Sequence, residues 1–171
     1  MDSVFRFCPN CGSSNHSFTH LKKFECHDCS YVFYKNAAAA CAAVLVHGGK
    51  ILFTVRNQEP GYGKLDLPGG FIDSGETMED GLRREVLEEL GLELGTCEYL
   101  TSFPNTYPFK GTTYYTCDQF FVCSIDHLPT SVEETEIQRY VMVNPSEVDM
   151  ESIAFESIRK GVAYYVEHFK A

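Results

Sequence analysis

Three glutamates, Glu85, Glu88 and Glu89, crowd one stretch of this 171-residue chain, and their spacing is the feature that most restricts its fold. Residues 76–90 have helix-forming composition and are stopped by Gly91. At about 100° per residue, Glu85 and Glu89 lie one turn apart and Glu88 falls on the adjacent edge, so the carboxylates share a face. Like charges packed this way weaken a helix, and a bound divalent cation reverses the sign of that effect. Mg²⁺ suits such a face because it takes carboxylate oxygens, keeps some waters and shares its remaining positions with phosphates. A solvated acidic face would account for an isolated Glu-x-x-Glu-Glu. The wider pattern is Gly70, Glu76, Arg84-Glu85-Val86, Glu88-Glu89 and Gly91-Leu92. Its chance occurrence is on the order of 10⁻¹⁰ per start site.

Around this helix the chain reads as α/β. Residues 37–46 and 51–55 flank the turn Gly48-Gly49 as two strands of a hairpin. Residues 65–68 and 71–72 are short extended stretches on either side of Gly69-Gly70. Residues 99–103, 113–124 and 138–143 are rich in aromatic and β-branched side chains and predict strands. Residues 152–169 predict an amphipathic helix, with Ile153, Ile158, Val162, Tyr165 and Phe169 on one side. Between these strands, residues 102–109 read as a loop that Pro104 and Pro108 hold stiff.

The N-terminal part differs. Of eight cysteines, four form two C-x-x-C pairs, Cys8 with Cys11 and Cys26 with Cys29, separated by fourteen residues. Two such hooks predict a tetrahedral four-thiolate zinc site. His27 stands inside the second hook and is expected outside the ligand set. Residues 1–35 are too few to bury a core of their own, so zinc must supply the missing stability. Residues 17–20, 24–25 and 31–34 are candidate ribbon strands. The expected division is therefore a zinc ribbon over 1–35 and one α/β domain over 36–171. Cys41, Cys97, Cys117 and Cys123 lie in apolar surroundings and are expected to be buried small hydrophobes.

Charge separates the two parts further. Residues 1–35 hold Arg6, Lys22, Lys23 and Lys35 against Asp2, Glu25 and Asp28, a net of +1, so residues 36–171 carry −11 of the chain's net −10. An acidic body argues against strong nucleic-acid binding through phosphate neutralisation. No apolar run reaches the roughly 18 residues of a membrane-spanning helix. The first residues, Met1 to Arg6, lack a basic stretch leading into an apolar one. A cytoplasmic protein is expected.

The pattern from Gly70 to Leu92 resembles the Nudix box at every position, and residues 37–171 resemble a Nudix hydrolase. The resemblance implies an α/β/α sandwich with a mixed sheet. It implies hydrolysis of a nucleoside diphosphate linked to another moiety, with Mg²⁺ or Mn²⁺ and a water nucleophile. The matching ligands are Glu85, Glu88 and Glu89, also the catalytic residues, with the carbonyl of Gly69 and, beyond the box, Glu136. Gly70, Glu76, Arg84 and Gly91 take structural roles, with a Glu76–Arg84 salt bridge tying loop to helix. Gly81 stands where the family commonly has alanine, at a cost of about 1 kcal/mol in a helix interior.

A four-cysteine ribbon ahead of such a domain is similar to the NADH pyrophosphatase group. That group carries a Ser-Gln-Pro-Trp-Pro-Phe-Pro type sequence after the box, where this chain has residues 102–110 and no tryptophan anywhere. NADH, NAD⁺ and ADP-ribose are the expected substrates. Tyr107 and Phe109 either stack a substrate ring or pack against the sheet or the partner in a homodimer. The rival reading is a non-catalytic ligand-sensing module with a partner-binding ribbon, and the intact carboxylate set favours the enzyme.

Overall fold

The computed structural model describes residues 5–20 and 22–169. Residues 1–4, on which the reading of the N-terminus rests in part, lie outside them.

Three short strands come first, β1 (His16–Thr19), β2 (Lys23–Cys26) and β3 (Val32–Tyr34), paired antiparallel in that order. Phe24 of β2 is fully buried, with the rings of Phe5, His16, Phe18 and Tyr31 at 4.9–6.3 Å around it. Its other buried companions are Cys8 and Cys26. So small a core cannot hold a ribbon unaided.

The main sheet begins with β4 (Ala38–His47) and β5 (Lys50–Arg56), joined through Gly48 and Gly49, both at positive φ. These strands pair only between Leu45–His47 and Lys50–Leu52, and then diverge. Into the opening comes β6 (Leu65–Asp66), which pairs with Thr54 and Val55 of β5. The residues after it turn to β4 instead, where the N–H groups of Ala43 and Cys41 donate to the carbonyls of Pro68 and Gly70 at 2.8 and 2.9 Å. This wedge between β4 and β5 creates the concavity described below.

Beyond β4 the order continues with β8 (Thr112–Ser124), parallel to β4, and ends with β7 (Cys97–Phe109), antiparallel to β8. The strand β9 (Ile137–Val143) pairs with the free side of β5. One helix covers each face. From α1 (Met78–Leu90), Leu82, Val86 and Leu90 pack on Cys41, Ala43, Leu45 and Phe121. From α2 (Glu156–His168), Ile158, Val162 and Tyr165 pack on Ala42, Val44, Phe53 and Phe120. Alternate residues of β4 and β8 serve opposite layers, as the period of a strand requires. The sandwich and its mixed sheet are as expected, and among the described residues no helix is long and apolar enough to cross a membrane.

Three expectations need correction. Residues 102–109 are strand, not loop: β7 runs to Phe109 in register with β8. It is an edge strand, where a proline can turn its missing N–H outward. The helix does not start at residue 152: Ser152 ends a short 3-10 turn that begins at Met150, Ile153 bridges to Leu65, and α2 starts only at Glu156; Phe169 follows the helix and remains 45% exposed. Of the scattered cysteines, Cys41 is buried and free, whereas Cys117 is exposed and Cys97 is disulfide-bonded to Cys123. Those two face each other across β7 and β8, with Cα atoms 4.5 Å apart.

Candidate active site

Thr77 caps α1 by accepting from the Asp80 N–H at 3.1 Å, and its hydroxyl donates to the Asp80 carboxylate at 2.8 Å. Gly91 ends the helix in the left-handed region at φ 63°, donating to the Leu87 carbonyl. Glu79 and Asp80 in the first turn favour the positive end of the helix. These signals fix the rotation of α1, and with it the direction of its acidic face.

That face opens into a cleft of about 410 Å³ floored by the wedge between β4 and β5. Glu85, Glu88 and Glu89 line it together with Gly69, Gly70 and Glu136. Glycine at 69 is required, because φ is +140° and a Cβ there would collide with the Cys41 carbonyl. At 70, a Cβ would lie 2.6 Å from the Glu85 carboxyl group. The main chain thus makes room for that carboxylate. Gly81 is explained as well: the end of the Ile72 side chain occupies the space, 2.5 Å from where its Cβ would sit.

Arg84 ties the acidic groups down with all five of its N–H donors. Nε and Nη2 bind Glu76 in a fork at 2.7 and 3.0 Å, and Nη2 also donates to the Phe71 carbonyl at 3.0 Å. Nη1 reaches Glu85 at 2.9 Å and Glu88 at 3.2 Å. The expected Glu76–Arg84 bridge is therefore present, and the same arginine orients two of the three box carboxylates. The Arg84 hydrogen bond holds the Glu76 carboxyl below the usual carboxylate range.

Glu89 is held differently, by the Gly69 N–H at 3.0 Å. Pro68 and Gly70 turn their carbonyls to β4, which leaves the Gly69 carbonyl on the alternate side. Burial of its carboxyl end pushes Glu89 well above the ordinary carboxylate value, and the charges of Asp66, Glu85 and Glu136 add to the effect. Burial also raises Glu85, against the pull of Arg84. Protonation or a cation relieves such a cluster, and its hard oxygen donors fit Mg²⁺. The carboxylate oxygens are not yet gathered around one point. Among the described residues, Cys8, Cys11, Cys26 and Cys29 form the group with ligand atoms all within 4.8 Å of one another. Their sulfurs lie 3.7 Å apart for Cys8 and Cys29, and 3.6 Å for Cys11 and Cys26. A tetrahedral zinc with bonds of about 2.3 Å needs edges of about 3.8 Å. Two of the six sulfur pairs already have that spacing, and all four sulfurs lie within 4.8 Å of one another.

The same cleft is also lined by residues that carry no motif. Arg56 donates to Asp66 at 2.7 Å and to the Pro60 carbonyl at 2.7 Å, with its guanidinium 4.9 Å over the Phe155 ring. Burial raises Asp66 despite this arginine. Asp118 of β8, 6% exposed, accepts from the hydroxyls of Thr116 at 2.5 Å and Ser157 at 2.6 Å. Tyr107 stands at the wall, 5.9 Å from Phe71 edge to face and 5.6 Å from Phe155. Phe109 lies 6.1 Å behind Tyr107 and is not part of the lining. Of these residues only Tyr107 and Phe109 were legible in the sequence, since Arg56, Asp66, Asp118 and Ser157 are single side chains spread over four elements. The one available signal was Asp118 as the single charged side chain of β8.

Comparison with known proteins places this geometry. The NUDIX domain family matches residues 34–164. The chain is 32% identical over 108 residues to the NAD-capped RNA hydrolase NudC of Vibrio cholerae, covering 63% of this chain and 40% of that protein. It is 30% identical over 104 residues to NudC of Pseudomonas aeruginosa, covering 61% of this chain and 36% of the other. The chain therefore spans about two-fifths of the length of these relatives. A NUDIX hydrolase structure from Nitrosomonas europaea superposes with a TM-score of 0.69 at 22% identity, over 95% of this chain and 91% of that one. The NUDIX domain of Shewanella oneidensis NrtR, solved with ADP ribose, gives 0.65 at 19% identity, over 80% and 91%. With the box geometry, the fold and the family match in agreement, this chain belongs to the NUDIX domain family.

Proposed function

We propose that the chain hydrolyses the diphosphate linkage of a nucleoside diphosphate joined to a second moiety, with NADH, NAD⁺ or ADP-ribose as its substrates. The observation that carries this reading is the cleft itself, which sets the acidic face of α1 opposite the aromatic wall of Phe71, Tyr107 and Phe155. Glu85, Glu88, Glu89, the Gly69 carbonyl and Glu136 would hold Mg²⁺ or Mn²⁺. When bound, the ion neutralises charge on the phosphoryl oxygens and makes water a better nucleophile. Arg84 keeps Glu85 and Glu88 aimed at the cleft, and Gly69 does the same for Glu89. The aromatic wall binds a flat ring and excludes water from it. Arg56, held by Asp66, also lines the cleft.

The four thiols around one point suit a structural zinc and a division of the chain at residues 35 and 36. Four reduced cysteines that gather around one point suit the cytoplasm, where we place the protein, with Cys97 and Cys123 the one oxidised pair among the described residues. The NudC relatives are named for an RNA carrying NAD at its end. The net charge of −10 speaks for the dinucleotide rather than the RNA as the part that is bound. A homodimer completes the proposal, and sedimentation at several concentrations tests it.

The test is a turnover screen of purified protein with Mg²⁺ against NADH, NAD⁺, ADP-ribose, diadenosine polyphosphates and nucleoside triphosphates, with products separated by chromatography. Two monophosphate-bearing products from NADH or ADP-ribose are expected. Pyrophosphate released from a nucleoside triphosphate as the sole robust activity would overturn the substrate assignment.

A further inference from the structure

We propose that Asp118 is a specificity-determining residue that recognises an amino group on the substrate's nucleobase. The inference rests on the reading of the cleft as a nucleotide site and names what its inner end selects.

Asp118 lines the cleft while being 6% exposed. Its two oxygens accept one hydrogen bond each, from Thr116 and from Ser157. An ionised carboxylate offers about four acceptor positions. Two neutral hydroxyls therefore leave half of its capacity unmet. The Arg56 guanidinium, which bonds Asp66 and the Pro60 carbonyl, makes no hydrogen bond or ion pair to Asp118. Among the described residues no ion pair reaches Asp118.

A tie between β8 and α2 does not explain a carboxylate here. Asparagine has the same shape, accepts and donates to the same hydroxyls, and avoids burying a charge. The carboxylate makes sense when a further donor arrives from the cleft.

The surroundings say which donor. On the β7–β8 ladder, Phe103 stands opposite Asp118, Asn105 opposite Thr116 and Tyr107 opposite Tyr114. Asn105, Tyr107, Thr116 and Asp118 all line the cleft. Phe155 precedes Ser157 by two residues at the start of α2, and its ring lies 5.6 Å from that of Tyr107. In this proposal a flat ring lies against these two aromatics with its edge toward Asp118, which lines the same cleft. An amino group there donates to the carboxylate, whereas a carbonyl or carboxylate in its place meets a like dipole or charge. Sites built around a hydrogen bond to the ligand reject analogues that lack the donor, since the buried group is then left unpaired.

The experiment is equilibrium binding by calorimetry, on the full-length chain with Mg²⁺, of AMP against IMP and of nicotinamide mononucleotide against nicotinic acid mononucleotide. Each pair differs at one amino group. A third comparison, AMP against 2′-deoxy-AMP, tests the ribose hydroxyl as the donor instead. The expected result is at least tenfold tighter binding of the amino-bearing member of one pair, falling below threefold in D118N. Equal affinities within both pairs, no binding of any of the nucleotides, a preference that survives D118N, or discrimination only against the deoxyribose would each overturn the proposal. The wild-type comparison needs no variant, so it decides even if D118N does not fold. Turnover is scored separately: a protein that prefers AMP to IMP but cleaves no dinucleotide keeps this inference and refutes the hydrolase.

Discussion

The Gly69 N–H and the Glu89 carboxylate, twenty residues apart in sequence, are joined by a 3.0 Å hydrogen bond that fastens the wedge to the helix. The bond holds a carboxylate that its surroundings otherwise push toward its protonated form.

That opposition predicts a pH signature. With its folded value raised, Glu89 stabilises the metal-free fold fully below the ordinary carboxylate value of 4.5 and loses that contribution as pH rises through the higher folded value. Thermal unfolding of metal-free wild type is therefore expected to show a Tm that declines over that range more than in Glu89→Gln. Mg²⁺ should recover the loss at neutral pH in wild type and not in the variant. Parallel Tm profiles for the two proteins would refute the assignment. The same variant should lower kcat by roughly 10³-fold or more, in line with losing a group that stabilises transition-state charge.

Arg84→Lys should lower Tm and kcat together. Lysine keeps the charge but cannot form the fork to Glu76 while also reaching Glu85, Glu88 and the Phe71 carbonyl. A variant with unchanged Tm and normal turnover would show that the five contacts are dispensable.

Gly81→Ala tests the packing of the loop on the helix. Alanine gains about 1 kcal/mol of helix propensity over glycine. Here the added methyl meets Ile72, so denaturant unfolding should show no gain or a loss. Combined with Ile72→Val, which shortens the obstructing side chain, the gain should return.

Elemental analysis should find about one tightly held zinc per chain. Cys8→Ser or Cys26→Ser should raise hydrogen exchange within residues 5–34 and leave the exchange of β4 and β8 unchanged. Metal-free protein with a protected ribbon would contradict the zinc assignment.

Tyr107→Ala should raise KM more than it lowers kcat, as expected for a side chain that binds the ring equally in ground and transition states. Steady-state kinetics on the best substrate of the screen separates the two effects.

The parts of the molecule that could be read in advance are those whose evidence is contiguous. The box helix, its stop at Gly91 and the two cysteine hooks each carry their signal within a few residues. What could not be read depends on register. Cys97 meets Cys123 because β7 and β8 pair in one register out of many, and Asp118 meets Ser157 because α2 crosses β8 at that point. The prolines of β7 misled for a physical reason: they break central strands but not edges, and nothing local says which strand will be the edge. Gly81 looked like a pure cost until Ile72 was found against it.

The position of those prolines has one more consequence. An edge strand of thirteen residues offers a row of backbone groups on which another chain could extend the sheet. Pro104 and Pro108 each remove a donor from the strand, so a ladder cannot run unbroken along this side. Amyloid-like growth from β7 is thereby discouraged without any loss of the aromatic side chains it carries. Tyr107 therefore stays beside the cleft on a long edge strand that offers no unbroken ladder for another chain to extend.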